Sequence, residues 1–232
     1  MKRYGNLQLW TWSVCAVVLF STVAVLFFVG SQDEKWSLRL TGGGRCRLAL
    51  LCILNVVCIE GAGVGAESVT GIVSWKSVLW KKILWSVFAG CLLTAAVMDW
   101  WEQMVYRFVW WTAGAAAGLL LLERMCGGTD RLEYMVSLGL FVLLQELLFA
   151  RFYGRADCHA FCVCAAMLTA RGLGFRDYLM HMVFVFGGLT LIQMIRGNIL
   201  GNGKLRVPVP LVPYIAAAFW FLVDFTARRW YI

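Results

Sequence analysis

Charge is scarce in this chain. Of its 232 residues only 15% are charged, while 61% are hydrophobic. A soluble domain usually carries about 25% charged residues, enough to cover its surface. Mean hydropathy is +0.75. These proportions exclude an ordinary water-soluble domain and predict an integral membrane protein whose solvent is mostly lipid. Other absences narrow the function. None of the nine cysteines pairs with another at C-x-x-C spacing, and most lie in apolar runs, where cysteine acts as a small hydrophobe. Neither a disulfide framework nor a zinc pair is readable. Cys158, His159 and Cys162 lie close together but lack a second pair of ligands, so no metal is expected. Pro208, Pro210 and Pro213 are the only prolines. No soluble domain, low-complexity tract or repeat interrupts residues 1–232, which read as a single integral membrane domain.

The net charge is +8. The basic residues form no stripe of the kind a phosphate backbone needs, so nucleic acid is not an expected partner. They sit between apolar runs, as they do beside membrane helices. Charges divide the chain into spans near 7–29, 48–66, 80–98, 108–123, 134–150, 158–172, 178–195 and 207–224. The predicted fold is therefore all-α, polytopic, with about eight transmembrane helices. Tyr4 to Gln32 carries no charge, a run longer than the roughly 20 residues a span needs and too long for a signal-peptide core. Glu60 and Glu146 fall inside the second and fifth spans as inward-facing polar residues. Trp12, Trp80, Trp85, Trp100, Trp101, Trp110, Trp111 and Trp230 fall near span ends, as interface aromatics do.

Eight spans put both termini on one side. Basic residues divide almost evenly between the two sides and do not orient the chain. The same topology has a chemical consequence. Asp99 follows the third span and Asp157 precedes the sixth, so both carboxylates lie at one face of the membrane.

Three segments carry a resemblance. Ala95-Ala96-Val97-Met98-Asp99 closes an apolar helix. Gly154-Arg155-Ala156-Asp157-Cys158-His159 opens a later one. Pro210-Leu211-Val212-Pro213 begins the last. In this order the chain resembles the type IV prepilin peptidases, polytopic aspartyl proteases of the GxGD group, over about residues 80–225. The resemblance implies a membrane-embedded aspartic endopeptidase with Asp99 and Asp157 catalytic and no cofactor. Its substrate would be a prepilin- or pseudopilin-like membrane protein, and its partner otherwise the lipid bilayer. It further implies a multi-pass protein of the plasma membrane, the dyad at the cytoplasmic face and both termini outside. Nothing in the sequence sets an oligomeric state. The chain departs from the family pattern at several points. Ala156 stands where the family has glycine, His159 where it has lysine, and Val105 and Tyr106 where it has Ile-Pro. The first loop holds only Cys46, not the paired cysteines of the bifunctional members, which implies the short, peptidase-only form.

Peptide hydrolysis by two carboxylates needs one ionised and one protonated. Helix dipoles suggest Asp157, at a helix N-terminus, as the anion and Asp99, at a C-terminus, as the acid. Each residue also has a plainer reading. Asp157 reads equally as an N-cap and Asp99 as an interfacial charge. Gly154 and Ala156 let a substrate backbone approach, or form an ordinary tight loop. His159 is a cation beside the dyad, or a polar interface residue. His181 is structural. Pro210 and Pro213 begin a helix, or make a semi-rigid lip that holds an extended substrate. Two other functions fit the composition. One is a catalytically inactive relative acting in assembly, favoured by the lost Ile-Pro and by His159. The other is a small transporter with Glu60 and Glu146 as its polar pathway.

Overall fold

The computed structural model describes the backbone of residues 2–31, 42–61, 75–127, 131–200 and 209–229. Among these residues there is no strand, and the fold is all-helical. Eight α-helices follow in order: α1 Lys2–Ser31, α2 Gly42–Gly61, α3 Trp75–Glu102, α4 Arg107–Gly127, α5 Arg131–Leu147, α6 Arg155–Ala170, α7 Phe175–Leu200 and α8 Val212–Arg229. A short 3-10 turn, Phe149–Arg151, links α5 to α6. Three stretches are long and apolar enough to cross a membrane, namely Val78–Trp101, Leu132–Arg151 and Phe175–Ile195. Trp12–Leu26, Ala49–Ile59 and Val212–Ala227 are shorter apolar helices.

α3 is the central element and packs against α1, α2, α4 and α8. Its burial is mostly complete, whereas α5 exposes Leu132, Val136, Leu140, Leu143 and Leu147 along one side. Gly90 sets the α1–α3 approach. A Cβ there would meet Thr22 Cβ and Cγ2 at 3.0 Å, so a larger residue would require Thr22 to give way. Small residues serve this purpose wherever helices cross closely. Lys81 near the start of α3 pairs with Glu123 near the end of α4 at 3.4 Å, which fixes those two helices as antiparallel neighbours.

Two helix ends show how the turns near the site are made. α3 stops where Gln103, at φ 55, donates its N–H to Asp99 O at 3.0 Å. That is the single-bond left-handed cap, here made by a residue other than glycine. α6 stops in a Schellman motif. Gly172, at φ 83, donates to Thr169 O at 2.8 Å, and Leu173 donates to Leu168 O at 3.0 Å.

The helices differ from the expected spans in instructive places. The last begins at Val212, not near 207. Residues 209–211 are non-helical, and Pro208 lies outside the described residues. α5 ends at Leu147, earlier than 150, and the chain then tightens into the 3-10 turn. Asp99 lies inside α3, one turn before its end, and does not follow the helix. Trp85 and Trp110 are buried in the core, so they are not interface aromatics, while Trp12, Trp80, Trp100 and Trp111 are exposed.

Candidate active site

The segment 209–213 is the pivot of the site. Pro210 and Pro213 have no N–H. Between them, Leu211 and Val212 keep theirs, and both reach the Asp99 carboxylate, Val212 N to Asp99 Oδ2 at 2.9 Å. Val212 is the first helical residue of α8, so these are among the orphan N–H groups of a helix start. Asp99 therefore sits at the C-terminal end of its own helix and caps the N-terminus of another. The two prolines frame a two-donor clamp.

Asp157 is built differently. Gly154 is the N-cap of α6, at φ −58 and ψ 154. Asp157 is the third helical residue, and its carboxylate accepts the Gly154 N–H. This is the returning half of a capping box, so Asp157 is not itself the N-cap. α7 repeats the device. Gly174 precedes Phe175, and Gly174 N donates to Asp177 Oδ2 at 3.0 Å. Gly154-Arg155-Ala156-Asp157 and Gly174-Phe175-Arg176-Asp177 are the same cap in two places. What sets Asp157 apart is its surroundings. Burial, and then the negative charge of Asp99, raise its pKa from 3.8 to about 6. The charge of one carboxylate thus bears on the other.

The dipole that meets an aspartate is not simply that of the helix that carries it. Asp99 holds the two backbone donors that favour an anion, and the dipole it meets is that of α8. Asp157 holds one donor and feels the charge of Asp99, which together with burial favours its protonated form.

Two cavities flank the 209–213 segment. One, of about 670 Å³, is lined by Tyr153, Gly154, Asp157, Val209, Leu211 and Gln193, with Phe149, Phe152, Phe186 and Leu189 as its apolar wall. The other, of about 420 Å³, lies between α2, α3 and α8 and is lined by Ala96, Trp100, Trp101, Pro213, Ala217 and Trp220 among others. Asp157 opens on the first. Pro213 and the end of α3 border the second.

The remaining expected residues take these places. Gly154 adjoins Asp157, and a Cβ there would meet only Asp157 Oδ2, at 3.6 Å. The fold itself does not demand glycine at this position. Ala156 is half-buried in the first turn of α6. His159 is exposed, and its Nδ1 bonds to the Arg155 carbonyl within its own helix. His181 has a definite partner. It is fully buried, its Nε2 lies 3.0 Å from Ile215 O, and its ring meets Phe161 and Phe219 edge to face, pinning α7 to α8. Glu146 is exposed on α5 and faces no interior channel, and the side chain of Glu60 lies outside the described residues.

Two residues of the site escape a reading based on charge. Gln145 is fully buried on α5, and Tyr153 lines the cavity that holds Asp157. The signal for Gln145 was present. It stands four residues after Phe141, also fully buried, on the same helix face. The adjacent Glu146 points about 100° away, to the outside.

No protein-family model, curated protein or solved structure matches the chain.

Proposed function

We propose that this chain is a membrane-embedded aspartic endopeptidase of the prepilin peptidase type, with about eight transmembrane helices and its dyad at the cytoplasmic face of the plasma membrane. One observation carries the reading. Asp99 and Asp157, far apart in sequence, lie close enough for the charge of one to raise the pKa of the other, beside a segment that presents backbone to a cavity. The exposed apolar side chains of α5 and α7 support a lipid surrounding.

The chemistry follows from the two environments. Asp99, ionised, accepts a proton from a water as the water oxygen attacks the scissile carbonyl carbon. Asp157, protonated, gives its proton to the carbonyl oxygen. The resulting gem-diol collapses when Asp99 returns its proton to the amide nitrogen and Asp157 recovers one from a diol hydroxyl. The C–N bond breaks and the dyad is restored. The N–H groups of Leu211 and Val212 donate to Asp99 and hold it in place through both halves. The substrate is the basic leader and apolar helix of a prepilin-like protein, cleaved where the leader meets the membrane.

A second reading has its own support. The capping bond of Asp157 is matched by that of Asp177, so capping alone accounts for an aspartate at this position, as in a catalytically inactive relative acting in assembly. A gel shift of a co-expressed prepilin-like substrate separates the two. Asp99→Asn and Asp157→Asn should each abolish leader cleavage in a protein that still enters the membrane, and the double variant should be no worse than either alone. Unimpaired cleavage by either Asn variant excludes the dyad. No cleavage by the unmutated chain favours the inactive relative.

A further inference from the structure

The first turn of α6 has little of its own to place it. The preceding 3-10 turn buries none of its residues, and Gly154 makes no side-chain cap. The bond from Gly154 N–H to Asp157 lies within the turn. It fixes the shape of the turn, but its location must come from outside.

That location comes from α5. Gln145 makes three bonds to three elements. Its Oε1 accepts the Tyr153 hydroxyl, and its Nε2 lies 3.3 Å from Met182 Sδ on α7. Its main-chain oxygen, an orphan carbonyl in the last turn of α5, accepts the Cys158 thiol at 3.5 Å. Tyr153 and Cys158 stand on either side of Asp157 in sequence, so one residue grips both ends of the turn. The Tyr153 ring is wedged among Phe149 at 5.7 Å, Phe161 at 5.7 Å and Phe186 at 5.8 Å. A buried amide is costly unless bonded, and leucine would fill the same space without that cost. The amide is explained by what it holds.

We propose that Gln145 and Tyr153 are a positioning pair that sets where the Asp157 carboxylate lies relative to Asp99. Neither touches the reacting atoms. The inference rests on the peptidase reading for its effect on rate, but the placement itself is measurable without cleavage.

The experiment uses the full chain in detergent or liposomes and compares Tyr153→Phe, Gln145→Leu and the double variant. The infrared band of protonated Asp157, identified by its loss in Asp157→Asn, is titrated in each, and leader cleavage is followed in parallel. Both single variants should shift the Asp157 midpoint down by about one pH unit, as the carboxyl swings towards water and away from Asp99. Both should lower kcat about tenfold to a hundredfold with KM little changed. The double variant should match the singles, since one device is removed. Should Gln145→Leu fail to fold, Tyr153→Phe carries the test, because it removes one oxygen from an intact ring. A lowered melting temperature with midpoint and kcat unchanged would overturn the pair as a positioning device. A shifted midpoint in a chain that cleaves nothing would uphold the pair and reject the peptidase.

Discussion

The backbone N–H of Val212 donates to Asp99 Oδ2 at 2.9 Å, joining the end of α3 to the start of α8 across 113 residues of sequence. Val212 stands at the first helical position, where proline is well tolerated. Val212→Pro therefore removes one donor from Asp99 while leaving a helix that can still form. The expected result is a folded protein, judged by circular dichroism, whose cleavage rate falls about a hundredfold, the usual cost of one lost donor in a preorganised site. Unchanged cleavage would mean that the clamp does not serve the chemistry.

The second prediction concerns pH. Burial and the charge of Asp99 raise the Asp157 pKa from 3.8 to about 6. As the acid of the pair it must be protonated, so cleavage should fall as pH rises through about 6. Stability should move the same way. A carboxyl that holds its proton more tightly when folded contributes stability that is complete below pH 3.8 and is lost as pH rises through about 6. Asp157→Asn cannot ionise and escapes this loss. Its melting temperature should exceed that of the parent at neutral pH and match it near pH 3.8. A variant less stable than the parent at neutral pH would count against the repulsion.

Asp177 offers a control built into the chain. It makes the same capping bond as Asp157, to Gly174, at the start of the next helix. Asp177→Ala should cost about 0.5–1 kcal/mol of stability, the ordinary range for a lost cap, and leave leader cleavage intact. Loss of cleavage in this variant would show that helix capping, not dyad chemistry, underlies the effects seen at Asp157.

The helices were legible because charge is so rare here that each charged cluster marks a break. Their ends were less so. The last helix starts at Val212 because residues 208–213 hold all the prolines, and only the final one falls inside a first helical turn, where a missing N–H costs nothing. The surroundings of Asp99 are illegible for a different reason. A local pattern ties each aspartate to the helix that carries it, but Asp99 also meets the start of α8, a neighbour that no local pattern reveals. Gln145 is masked in the sequence by the charge beside it. One step along the helix separates the exposed Glu146 from the buried amide.

The partition at 209–213 has a pharmacological consequence. Val209 and Leu211 face the cavity of Asp157, while Pro213 faces the apolar cavity between α2, α3 and α8. A small apolar molecule seated in that second cavity would press on the segment whose N–H groups hold Asp99, without occupying the cavity that Asp157 lines, where the proposed substrate would sit. It should inhibit without competing, lowering kcat and leaving KM unchanged, and Ala217→Trp, which fills the cavity, should remove its effect. Competition with substrate in a rate assay would place the inhibitor on the other side of the wall.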